Sequence, residues 1–171
     1  MRRFLIATLL LTATAGPAVA ETRYLAYDAS NRITQALTRG VTLETDRGLF
    51  GGISVRRLIS TSNRGSADIR RGGPDAVRGV LPAGSRETSV YSISPEGDGV
   101  GLSRALCPGS QTTWVVMGRV RLGRPLTLHA VGLWSDGAYR HCVQLSYDWR
   151  GEWAVPPGSG PIEDAPTPVA R

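Results

Sequence analysis

Between residues 113 and 149 three strand-like stretches follow one another so closely that they can only be antiparallel neighbours. Thr113 to Leu122, Pro125 to Trp134 and Ala138 to Trp149 are rich in β-branched and aromatic residues. The gaps between them are too short for the crossover that a parallel pair requires. Asp136-Gly137 is a two-residue hairpin signal, and as a type I′ turn it predicts the whole pairing. Trp134 then faces Tyr139, Gly132 faces His141, Ala130 faces Val143 and Leu128 faces Leu145, on a mainly apolar face. On the opposite face Leu133 pairs with Arg140, Val131 with Cys142 and His129 with Gln144. In this register His141 and Cys142 point to opposite sides, and His129 shares a side with Cys142 but not with His141. Val131 and Leu133 need cover, and Leu102 to Cys107 is the expected lid.

The preceding chain reads in the same terms. Arg23 to Tyr27 has strand composition, and Asp28 or Ser30 can cap a helix in which Ile33, Ala36 and Leu37 recur at helical spacing. Gly40 follows where a left-handed residue would end that helix. Val41 to Thr45, Ile53 to Ser60, Ala67 to Arg70 and Thr88 to Ser94 read as strands. Pro74 can open a brief helical turn running to Val80. Asp98 can cap a helix over Gly99 to Cys107 that Pro108-Gly109 stops. The expected fold is a β-dominated α+β domain over residues 21–155: an antiparallel sheet or β-sandwich with two short helices and a C-terminal three-stranded meander.

The two ends have different compositions. Arg2-Arg3, the apolar run Phe4 to Leu11 and Ala18-Val19-Ala20 have the layout of a signal peptide cleaved after Ala20. Residues 156–171 contain five prolines and little that could form a core, so they are expected to be a disordered tail. The reading is therefore of an exported protein, periplasmic or secreted, with no transmembrane anchor.

Cys107 and Cys142 are the only cysteines, and an even count in an oxidising compartment predicts a disulfide. Strand alternation keeps Cys107, His129, His141 and Cys142 from converging all together on a metal or haem centre without a bulge, and the Cys-His-Cys set with His129 that remains competes with the disulfide for both cysteines. No metal or other cofactor is therefore expected. His141 is expected to be a hydrogen-bonded core residue and His129 a surface or sheet residue.

All twenty basic residues are arginine, so lysine chemistry is excluded. The formal net charge is +6; loss of Arg2 and Arg3 with the leader leaves +4, too little to imply a polyanion by itself. Arg56-Arg57, Arg70-Arg71 and Arg119, Arg121 and Arg124 can each mark an anion-facing surface or a solvated edge. Arg119 and Arg121, two apart on one expected strand face, form the best local candidate. Nucleic acid is not an expected partner, because no exposed-looking aromatics are interleaved with these arginines. Gly97-Asp98-Gly99-Val100-Gly101 has phosphate-loop glycine spacing without the Lys-Ser/Thr ending, and reads better as a helix-capping turn.

No Gly-x-Ser-x-Gly elbow exists. Asp148 and Glu152, near Trp149 and Trp153, are the one acid pair beside an aromatic platform, an arrangement suited to a cofactor-independent envelope hydrolase. The leading expectation is instead a small non-enzymatic binding or interaction protein that recognises an anionic envelope component through arginine, or a protein partner.

Overall fold

The computed structural model describes residues 21–48 and 51–154. The expected leader at 1–20 and tail at 156–171 lie outside the described residues. Eight strands, β1 (Glu21–Ala29), β2 (Gly40–Arg47), β3 (Ile53–Ser60), β4 (Ser66–Arg71), β5 (Ser89–Ile93), β6 (Thr112–Met117), β7 (Leu126–Leu133) and β8 (Tyr139–Trp153), alternate with three short helices. The helices are α1 (Arg32–Leu37), α2 (Ala76–Gly79) and α3 (Gly99–Leu106). The expected antiparallel, β-dominated character is present, but the sheet closes. Each strand pairs antiparallel with the next, and β1 pairs with β8 to complete a barrel. The expected sandwich is thus replaced by a cylinder without sheet edges, and the expected C-terminal meander, β6 to β8, forms part of its wall.

Alternation sorts the side chains. Leu25, Tyr27, Val41, Leu43, Leu58, Ile69, Val115, Met117, Leu128, Leu145 and Tyr147 point inward and fill the barrel with one apolar core. Leu102 and Leu106 of α3 join this core, so the amphipathic helix packs against the barrel end where β5 leads into β6. α1 joins β1 to β2 at the same end. Its packing differs from expectation: Thr34 is buried, Leu37 half-buried, and Ile33 is 59% exposed. Asn31, rather than Asp28 or Ser30, caps α1, accepting a hydrogen bond from Thr34 N–H at 2.9 Å.

The left-handed residue after α1 is Arg39, with φ 59°, rather than Gly40. Gly40 is needed for a different reason: a Cβ there would lie 2.6 Å from the Tyr27 carbonyl oxygen. Asp98 stands at the start of α3 without a side-chain capping bond. At Gly99, inside the expected capping turn, a Cβ would fall 2.1 Å from the Ser94 carbonyl oxygen.

The β7–β8 hairpin corrects the predicted turn. A type I′ turn requires positive φ at both Asp136 and Gly137, but only Gly137 has it, at 77°. Gly137 N–H bonds to the Trp134 carbonyl at 3.0 Å and Trp134 N–H to the Ala138 carbonyl at 3.0 Å, making a three-residue connection. Leu133 therefore pairs with Tyr139, Gly132 with Arg140 and Val131 with His141. A bulge between Ala130 and Val131 takes up Cys142 and restores the predicted pairs Ala130–Val143, His129–Gln144 and Leu128–Leu145. Two departures of one residue each cancel along the strand.

The second apolar layer is outside the barrel. Residues 72–88, between β4 and β5, form a strap whose Val77, with Val80 and Leu81, covers Val90, Trp114, Val116, Val131, Leu133 and Tyr139. The cover over Val131 and Leu133 is thus this strap rather than Leu102 to Cys107, which serves the interior core instead. Elsewhere the outer wall is charged. A bulge in the β2–β3 pairing turns the consecutive Arg56 and Arg57 both outward, where they meet Asp46 and Asp68 at 3.1 and 3.0 Å.

Candidate anion-binding site

At the barrel end opposite α1 and α3, the inward rows of several strands finish in arginine. In β2 the inward row Val41, Leu43, Thr45 is followed by Arg47. In β4, Ala67 and Ile69 are followed by Arg71, in register with the buried Tyr91. Beyond β6, the row Val115, Met117 continues to Arg119. Each guanidinium is thereby carried from a buried inward row to the rim. A cavity of about 730 Å³ opens there, lined by Arg47, Arg71, Arg119, Arg121, Tyr91 and Leu122 among others.

The cavity's electrostatics are one-sided. Among the described residues the arginine–carboxylate ion pairs involve Arg23, Arg56, Arg57, Arg78, Arg140 and Arg150, and none involves Arg47, Arg71, Arg119 or Arg121. On the β1–β8 side of the mouth Arg23 stands 2.6 Å from Glu21 and 3.9 Å from Glu152, so its charge is already answered. Burial pushes the Tyr91 phenol up, and the charge of Arg71 opposes that shift. Four guanidiniums without a carboxylate partner suit a ligand carrying phosphate or carboxylate groups.

The sequence candidates divide accordingly. Arg119 and Arg121 line the cavity, although β6 ends at Met117 and they lie in the following β6–β7 connection rather than on a strand face. Arg124 is exposed on the same β6–β7 connection but does not line the cavity. Of the two other arginine pairs, Arg71 enters the mouth, whereas Arg56, Arg57 and Arg70 lie on the outer wall. Arg47 carried no sequence signal of its own. The available clue was its place two residues beyond Thr45, at the end of an inward row.

Asp148 and Glu152 are not brought together. Four residues apart in a regular strand they would share a face, but a bulge between Ala26 and Tyr27 of β1 takes up Arg150. Asp148 is consequently opposite Asp28 on the outside, while Glu152 is opposite the core residue Leu25 and near Arg23 at the rim. The tryptophans part as well. Trp149 packs edge-on against Tyr27 in the core, with ring centroids 5.3 Å apart, and Trp153 pairs with Tyr24.

Cys107 and Cys142 form the expected disulfide, tying the end of α3 to the inward side of the bulge in β8. With its ends 35 positions apart in sequence, the bond contributes about 3 to 4 kcal/mol in the chain-entropy account. Among the described residues no three His, Cys, Asp or Glu side chains group as a metal site would require.

The bulge also overturns the predicted separation of the histidines. His141 faces outward with His129, and His141 Nε2 lies 3.1 Å from His129 Nδ1. His129 Nε2 lies 3.2 Å from Glu87 Oε2 at the end of the strap. With Nε2–H donating to Glu87, Nδ1 is left to accept from His141 Nε2–H. His129, expected at the surface or in the sheet, is 1% exposed beneath the strap, whereas His141, expected in the core, is half-buried on the outer wall. Burial, and then the neighbouring His129, hold the His141 imidazole below its usual pKa. The chain Glu87–His129–His141 fastens the strap to β7 and β8.

Comparison with protein-family models, curated proteins and solved structures finds no match to this chain.

Proposed function

We propose that this chain is a non-enzymatic, exported binding protein that holds an anionic ligand in the arginine-lined mouth of the barrel. The observation that carries this reading is the gathering of Arg47, Arg71, Arg119 and Arg121 around one cavity, with no carboxylate paired to them among the described residues. Guanidiniums repel one another at close quarters, and a bound anion relieves that repulsion while accepting their hydrogen bonds. The packed apolar core beneath the mouth supports a rigid site. Export is supported by the leader-like composition of residues 1–20 and by compatibility of the Cys107–Cys142 bond with an oxidising compartment.

The test is calorimetric titration of the oxidised protein with pyrophosphate, a small probe bearing adjacent phosphates. Arg71→Gln and Arg119→Gln are each expected to weaken binding about tenfold, whereas Arg57→Gln on the outer wall leaves it unchanged. Equal losses at all three positions would mean that net charge alone drives association, and the mouth would lose its role.

A further inference from the structure

We infer that the mouth docks end-on against the phosphate-bearing surface of an anionic lipid membrane, with Leu122 entering the headgroup region between Arg121 and Arg124. This rests on the anion-binding reading of the mouth and names the source of the anion.

Charge segregation is the first observation. The acids near this end are engaged: Glu21 and Glu152 lie by Arg23, Asp46 by Arg56, and Glu87 by His129. The wall below the mouth alternates in sign, with Glu44, Arg57 and Asp68 in register across three strands. At the opposite end Arg32, Arg39, Arg64 and Arg104 also lack an ion pair, but Glu96, Asp98 and Asp148 stand at that end without one as well, so among the described residues the uncompensated positive charge is greatest at the mouth. All five of Arg47, Arg71, Arg119, Arg121 and Arg124 are exposed. A pocket built around one small anion would bury its guanidiniums against that anion. These spread around an opening, and Arg124 carries the field beyond the cavity lip, so they can meet several phosphates at once.

The second observation is apolar. Only Ile33, Val100 and Leu122 are large exposed hydrophobic residues among those described, and Leu122 is the one at the mouth, 39% exposed. Ile33 and Val100 belong to α1 and α3 at the opposite end. Leu122 sits in the β6–β7 connection with Arg119 and Arg121 before it and Arg124 after it. An apolar side chain flanked by guanidiniums suits the boundary between lipid headgroups and acyl chains, where both kinds of group are satisfied. A polynucleotide would match the charge, but it gains from exposed aromatic surfaces for base stacking, and among the described residues the aromatic that lines this cavity, Tyr91, is 7% exposed.

The deciding experiment is co-sedimentation of the oxidised full chain with phosphatidylglycerol-containing vesicles and with pure phosphatidylcholine vesicles. Soluble glycerol phosphate and a single-stranded oligonucleotide are titrated in parallel. Recruitment is expected to the anionic vesicles alone, falling steeply as ionic strength rises from about 0.01 M to about 0.15 M. Each of Arg119→Gln, Arg121→Gln and Arg124→Gln should weaken recruitment about fivefold. Leu122→Ser should weaken it about fivefold to tenfold while leaving glycerol phosphate binding unchanged, and circular dichroism would verify that each variant is folded. Binding of glycerol phosphate without recruitment to either vesicle would overturn the membrane inference and leave the anion site standing. Binding to neither would overturn both, and oligonucleotide binding tighter than vesicle binding and insensitive to Leu122→Ser would reassign the surface to a polynucleotide.

Discussion

His141 links the outer histidine pair to pH. Its imidazole is held below the ordinary value of about 6.5, first by burial and then by His129. The unfolded chain therefore takes up this proton at a higher pH than the folded chain does. The stability associated with neutral His141 is complete above about pH 6.5 and is lost as pH falls from there through the lower folded value. Facing the pair are Glu87 and Arg86 from the strap, the uncharged Gln144 from β8, and Val116 from β6, in register with His129. Thermal melts should accordingly show Tm falling between pH 7 and pH 5, and His141→Gln should flatten that slope. An unchanged slope in the variant would assign the proton uptake to another group. Both histidines were singled out in the sequence, but their contact was not legible there, because it depends on one extra residue in a strand.

The strap is the element whose role exceeds its regularity. Its only helix is the four-residue α2, far too short to be stable alone, so its position depends on tertiary contacts. Val77 is completely buried against the outer faces of β5, β6 and β7, and Glu87 anchors the far end through His129. Because Arg71, just before the strap, and Thr88, its last residue, both line the mouth, fastening the strap also steadies that wall of the site. Val77→Ala should cost about 2 kcal/mol and open the strap to limited proteolysis before the barrel is cut. Cleavage within β1 or β7 at the same rate would show that strap and barrel unfold as one unit. The elements themselves followed local chemistry closely: Ile53–Ser60 has the predicted bounds, and β4, β5 and β7 differ from expectation by a residue or so at each end. β6 stops at Met117 instead of Leu122 because the chain leaves the ladder to form the rim, a decision made by the barrel's height rather than by residue type.

For the molecule as a whole the decisive contact is between its first and last strands. β1 and β8 are joined from Tyr24–Trp153 to Ala29–Tyr147, which removes both edges and encloses the core. Hydrogen exchange should find the paired amides of β1 as protected as those of β7, opening only with global unfolding. Fast exchange confined to β1 and β8 would mean that the cylinder opens at this seam. Closure also creates the candidate site, since Arg47, Arg71 and Arg119 are far apart in the chain and meet only because β2, β4 and β6 end around the same opening. By itself the sequence determined the antiparallel β-rich character, most strand positions and the cysteine pair, because alternation, turn residues and an even cysteine count act locally or by simple pairing. The tertiary structure alone decided that the sheet closes, that bulges at Arg56, Cys142 and Arg150 redirect their neighbours, and that scattered arginines share one rim. A strand's period states which residues share a face, but a single inserted residue reverses that assignment, and whether the insertion is favourable depends on packing against strands distant in sequence.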